Sequence, residues 1–274
     1  MDKLLQKCQN IYSKYTVFFF TAVFLLWIKT YIVQLTQFDL GIENSIQQFL
    51  LILNPLGSAI IFLGLAWLFK GKRKYIWLII IDFLLSVLLY ANVLYYRFFN
   101  DFITLPTILQ TQNFGDVSSS VTSLLKPYDF LFFIDIVILI GMLAFKFVKI
   151  DVTSIKRRSV VMLLLLGIGI SSVNLALAEM DRPQLLTRGF DRNYIVKYLG
   201  MYNYTIYDAV LSTKASTQRA LADSDDVAEV INHTQSTYAE PDPKYFGAGK
   251  GMNVILLHLE SIQEFLIDYE LHGE

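Results

Sequence analysis

Five apolar blocks dominate the chain, separated by short polar connections. As a helix, each is long enough to cross a hydrocarbon core, which takes about 20 apolar residues. The blocks fall at residues 16–35, 46–69, 75–95, 130–147 and 159–177. Within lipid the backbone has to satisfy its own hydrogen bonds, so all five are predicted as helices. The first block runs on too long for a cleaved signal peptide and has no small-x-small site beside it.

After the fifth block the pattern changes. Residues 209–243 read as a polar linker carrying the acidic run Asp223-Ser224-Asp225-Asp226. Residues 253–259 are almost continuously apolar, as in strands buried on both faces of a parallel sheet. Ser261 and Glu264 have the spacing of a capping box. Phe265, Leu266 and Tyr269 then supply a helical stripe. Glu260 stands at the carboxyl end of the predicted strand, where open α/β sheets bind ligands. A carboxylate there suits a hard divalent cation; capping the next helix is the commoner role for it.

Basic residues orient the blocks. Lys3, Lys7 and Lys14 precede the first, Lys70, Lys72, Arg73 and Lys74 follow the second, and Lys146, at the end of the fourth, joins Lys149, Lys156, Arg157 and Arg158 between the fourth and the fifth. The first–second connection has neither Lys nor Arg, and the third–fourth has only Arg97 and Lys126. The N-terminus is therefore expected inside the cell, and everything past about residue 178 outside. Composition agrees with a membrane protein: 54% hydrophobic and 17% charged, against about 25% charged for a soluble domain. A net charge of -1 offers no basic field to nucleic acid. Cys8 is the only cysteine, so no internal disulfide and no Cys/His zinc site is expected.

Polar residues inside the blocks attract attention because they are costly in lipid. Lys29 lies near the outer end of the first block and is expected to snorkel to the interface. Asn54-Pro55 predicts a kink in the second. Asp82 in the third is read as the one deep carboxylate, with helix packing or an interfacial role the expected use and no proton relay. Arg182, Arg188, Arg192 and Lys197 lie among Tyr194, Tyr198, Tyr202 and Tyr204. They predict helices lying on the headgroups, with contact to an anionic lipid phosphate the second reading. Arg97 and Arg192 are the expected headgroup contacts. Ala220-Leu221-Ala222 has the form that signal peptidase cuts, which would place cleavage between Ala222 and Asp223; as a lone tripeptide it reads first as part of a helix.

Together, Tyr96-Arg97-Phe98-Phe99-Asn100-Asp101-Phe102, Asp191-Arg192-Asn193-Tyr194-Ile195-Val196-Lys197-Tyr198-Leu199-Gly200, Ala220-Leu221-Ala222, Asn253-Val254-Ile255 and Leu259-Glu260-Ser261 make the whole chain resemble the lipoteichoic acid synthase family and its primase-type relatives. The resemblance implies an α-helical membrane domain with five transmembrane helices, followed by the start of an α/β sulfatase/alkaline-phosphatase-like extracellular domain. The implied division is 1–178 for the spans, 179–215 for juxtamembrane interfacial helices, 216–247 for an extracellular linker and 248–274 for the first strand and helix of the catalytic domain. The implied activity moves glycerol phosphate from phosphatidylglycerol to a lipoteichoic acid chain on a glycolipid anchor, through a covalent intermediate on a threonine. Mn2+ is the implied cofactor, Mg2+ the alternative, and Glu260 one ligand. Signal peptidase becomes an implied partner at Ala222 and Asp223. Thr234 and Thr237 do not match the nucleophile, which is expected beyond Glu274, so residues 1–274 alone are expected to be inactive. Two other functions are weighed: a non-enzymatic membrane lipid-binding or scaffold protein, and a phosphoethanolamine-transferase-like enzyme.

Overall fold

A computed structural model describes residues 14–109, 124–148, 150, 152, 155–187, 191–221, 224–240, 242–253, 255 and 258. Among the described residues, five helices are long and apolar enough to cross a membrane: Tyr15–Thr36, Ser45–Leu68, Arg73–Phe99, Pro127–Ala144 and Arg157–Asp181. They match the five predicted blocks, and the chain is a multi-pass membrane protein. The elements are α1 (Lys14–Thr36), α2 (Ser45–Gly64, extended by a 3-10 turn), α3 (Arg73–Phe99), the short α4 (Leu105–Leu109), a 3-10 segment at Pro127–Phe133 leading into α5 (Ile134–Ala144), and α6 (Arg157–Asp181). Then come α7 (Arg192–Leu199), α8 (Met201–Leu221) and α9 (Ser224–Ser236). The chain forms two compact units, residues 1–217 and 218–274. The end of the bundle that carries the α1–α2 connection is called the upper end below.

Each span has one buried stripe and one exposed apolar face. On α1 the stripe is Phe18, Phe19, Ala22, Val23, Leu26, Thr30, Val33 and Gln34, at helical spacing, while Val17, Phe20, Phe24 and Ile32 face outward. In lipid an exposed apolar side chain costs nothing, so the helices associate through close packing and interior polar contacts instead.

The closest packing joins α2 and α6. Gly57 meets Ser171, Ile61 meets Gly167 and Gly64 meets Leu164. The contacts step by four and three residues on both helices, the spacing of antiparallel knobs-into-holes packing. A Cβ at Gly57 would lie 2.6 Å from the Ser171 hydroxyl, and one at Gly167 only 2.7 Å from Ile61. Further up the same seam, Gln47 donates to Asp181 at 3.3 Å. Asn44 caps α2 by accepting from the Gln47 N–H at 2.8 Å. Pro55 lies inside α2 as expected, and Ser58 donates to the Asn54 carbonyl at 3.0 Å just below it.

Two expectations about charge are corrected. Lys29 does not snorkel: its side chain is only 9% exposed and is ion-paired with Asp135 of α5. It also donates to Ser86 Oγ at 2.6 Å and to the Phe132 carbonyl at 3.1 Å. Asp82 is not the only deep carboxylate, because Asp135 is buried beside it. The cause is tertiary. The fourth span begins as a 3-10 segment and turns α-helical at Ile134, which brings Asp135 against Lys29. An adjacent counter-ion in a low dielectric is a better partner than a distant interface.

The predicted linker is also more regular than expected. α8 runs to Leu221 and α9 occupies Ser224–Ser236, and the described side chains of α9 are exposed. Of the predicted strand, Asn253, Ile255 and His258 are described and lie in no regular element, with Ile255 84% exposed. A strand is stable only when paired in a sheet, and no partner strand occurs among the described residues. Glu260, Ala222 and Asp223 lie outside the described residues.

Candidate functional site

The chain's chemistry gathers at the upper end, around α7 and the first turn of α8. Asp191 caps α7, its carboxylate accepting from the Tyr194 N–H at 3.1 Å. The helix then inserts into the bundle. Ile195, Val196, Lys197, Tyr198, Met201, Tyr202 and Tyr204 are all buried, which corrects the reading of this segment as helices lying on headgroups. The Tyr202 hydroxyl donates to the carbonyl of Leu85, near the middle of α3, at 3.2 Å. It also lies 3.5 Å from the Thr30 hydroxyl of α1. A tyrosine suits an interface because one end is apolar and the other polar; here the bundle itself supplies the polar partners.

The break between α7 and α8 is at Gly200. Its φ is +78°, a left-handed conformation that favours glycine. Space makes a second demand, since a Cβ there would lie 2.7 Å from the Cβ of Asn54. The carbonyls that end α7 need donors, because a helix terminus leaves them unpaired. Two spans provide them. Asn174 of α6 donates to the Tyr198 carbonyl at 2.8 Å, and Asn54 of α2 reaches the Lys197 carbonyl at 3.4 Å. Non-helical backbone at membrane depth is tolerated where protein covers it, and these two amides cover it. Asn54 is thus more than a neighbour of the kinking proline.

Arg97 and Arg192 both stand at this end, and both are engaged. The two terminal nitrogens of Arg97 each donate to an Asp129 oxygen at 2.8 Å, with further bonds to Gln37 Oε1 at 2.9 Å and the Leu124 carbonyl at 3.0 Å. Asp129 also accepts from Tyr90 at 3.0 Å and from the Lys126 N–H at 2.9 Å. Such a fork-to-fork pair is among the stronger charge-assisted contacts. It ties α1 and α3 to the start of the fourth span. Arg192 pairs with Asp101 and is more open, its side chain 40% exposed. Asp101 follows the left-handed Asn100 that ends α3. Next to it Phe102 is fully buried against Phe38, Tyr96 and Tyr204. Phe102 thus anchors the third–fourth connection in the bundle, while Phe98 and Phe99 just before it stay half-exposed.

Tyr198 lies at the mouth. Its hydroxyl donates to Asp181 at 2.6 Å and accepts from Gln47 at 2.9 Å. Burial, and then the bond to Asp181, hold this phenol above its ordinary pKa, so it remains a donor. Among the described residues no group of three or more His, Cys, Asp or Glu could hold a metal. Reading the sequence missed the partners: Asp129, Asp135, Asp181 and the two capping asparagines. Asp135 carried a usable signal, being a second charge of opposite sign to Lys29 in an apolar block. The asparagine caps carried none, since nothing local says which carbonyls they will meet.

The family model for the lipoteichoic acid synthase N-terminal domain matches residues 1–221. Lipoteichoic acid synthase 1 of Bacillus subtilis (strain 168) is 50% identical over 266 residues, which cover 97% of this chain and 42% of that protein. Lipoteichoic acid synthase 2 of the same organism is 53% identical over 258 residues, 94% of this chain and 39% of that one. Lipoteichoic acid synthase of Staphylococcus aureus (strain USA300) is 40% identical over 257 residues, 94% of this chain and 40% of its own length. The chain spans about two fifths of these curated relatives. No solved structure matches.

Proposed function

Because the chain belongs to the lipoteichoic acid synthase N-terminal domain family, we propose that it is the membrane part of a glycerophosphotransferase that takes glycerol phosphate from phosphatidylglycerol and adds it to a lipoteichoic acid chain on a glycolipid anchor. The match over residues 1–221 carries this reading. The bundle holds the protein in the membrane and presents α8 at the upper end, which the basic residues assign to the outside. The reacting groups belong to the remaining length that the relatives have. Glu260 would give one carboxylate to Mn2+, or to Mg2+; a hard cation takes about six oxygen ligands, so the others come from elsewhere in the whole protein. The metal would supply Lewis-acid stabilisation of phosphoryl charge. Signal peptidase would act between Ala222 and Asp223. Arg192, exposed and held by Asp101, would exchange that carboxylate for a headgroup phosphate. Arg97, forked onto Asp129, would hold the connection in place around it.

The test uses membranes containing the whole protein, labelled phosphatidylglycerol and Mn2+. Labelled diacylglycerol and a glycerol phosphate polymer are expected, and both should fall when Glu260 is replaced by Gln. Purified residues 1–274 should release no diacylglycerol. Turnover by that stretch alone would refute the division of labour and favour a membrane part that is catalytic in itself.

A further inference from the structure

One buried cation at the upper end has no ion-pair partner among the described residues. Lys197 is 5% exposed. Among the described residues its ammonium donates to the Gly41 carbonyl at 2.8 Å and forms no ion pair. An ammonium has three N–H donors, and burying a charge without a counter-ion is costly. Three other cations of the bundle are ion-paired: Arg97 with Asp129, Arg192 with Asp101 and Lys29 with Asp135. Arg182 lies close by. Its guanidinium is over the Tyr194 ring at 5.6 Å, and the Lys197 ammonium is over the same ring at 5.4 Å. Its carboxylate partner, Glu43, is 3.8 Å away with both side chains largely in the open. Another carboxylate at this end, Asp181, is already taken by Tyr198, Gln47 and Asn44.

We infer that Arg182 and Lys197, set against Tyr194, form a binding site for the phosphodiester of an anionic glycerophospholipid. Arg182 ends the fifth span and Lys197 lies where α7 enters the bundle, so the site is at headgroup height. Guanidinium and ammonium bind phosphate oxygens, the first as a planar fork and the second as a point charge. Tyr194 keeps both cations in position through their attraction to its ring face. A zwitterionic headgroup fits less well, since its quaternary ammonium would meet two positive charges. The site is separate from the arginines assigned to turnover, and binding is measured without turnover.

The test is lipid retention. The purified chain in detergent is equilibrated with phosphatidylglycerol or with phosphatidylcholine, and bound lipid is counted by native mass spectrometry. Phosphatidylglycerol should be retained in preference. Arg182→Gln and Lys197→Met should each weaken it about ten-fold, the loss of one charge-assisted bond. Arg182 is exposed, so its variant folds whatever happens to the lysine variant. Equal retention of the two lipids, or unchanged retention in Arg182→Gln, would overturn the inference. So would full displacement by soluble glycerol 3-phosphate, which would assign the site to a free phosphate ester.

Discussion

Helices meet in two different ways inside this bundle. Along the α2–α6 seam they meet through absence: Gly57, Gly64 and Gly167 remove side chains so that backbones approach. Between α1, α3 and α5 they meet through charge: Lys29, Asp135 and Ser86 are joined, with Asp82 fully buried beside them. The seam gains many small dispersion contacts and tolerates no added volume. The cluster gains specificity, since a buried ion pair without its partner is expensive. In lipid both are needed, because apolar surface alone gives helices no reason to prefer one another over solvent tails.

The largest effect should come from breaking the cluster. Lys29→Met leaves Asp135 buried without its cation and is expected to cost about 3–5 kcal/mol. A large fall in melting temperature in detergent would show it, and Lys29→Met with Asp135→Leu should recover most of the loss. If the double variant is no better than the single, the pair is not what links α1 to α5.

Next comes the seam. Gly167→Leu forces volume against Ile61, where even a Cβ would be 2.7 Å away, and should cost about 1–3 kcal/mol. Gly169→Leu is the internal control, as nothing lies within 4 Å of a Cβ there. The two variants should differ clearly in thermal unfolding; equal behaviour would remove the seam from the account.

A smaller effect is expected where the two modes converge on α7. Asn174→Ala leaves the Tyr198 carbonyl without its donor, at a cost of about 1–3 kcal/mol. It should show as faster proteolysis at Lys197 before any change in the spans. Arg182→Gln is the smallest, with no measurable change in melting temperature, because its ion pair is long and solvated.

The spans were legible because an apolar run of the right length has one stable form in lipid. Residues 75–95, predicted as one helix, form the heart of α3 at Arg73–Phe99. The insertion of α7 was not legible. Tyr194, Tyr198, Tyr202 and Tyr204 carry the same interfacial signal whether their hydroxyls meet water or the carbonyl of Leu85. Only the tertiary fold decides, through Asn54, Asn174 and the space left by Gly200. Lys29 and Asp135 were each visible as charges in apolar blocks, but their meeting depended on the 3-10 turn that begins the fourth span. For the predicted site, the sequence offered Arg97 and Arg192, while the carboxylates that occupy them are distant in sequence and were not anticipated. Glu260, Ala222 and Asp223 fall outside the described residues, so they stand on the sequence pattern and the resemblance.

The central claim is that α7 and the start of α8 are buried within the bundle. Single cysteines in a Cys8→Ser background test it, since Cys8 is the only native one. Val196→Cys, Tyr202→Cys and Leu211→Cys are exposed to a membrane-impermeant maleimide in intact membranes. Position 211 should label readily, and 196 and 202 should label only after denaturation. Labelling of 196 and 202 as fast as 211 would contradict the account and return this segment to the headgroup surface.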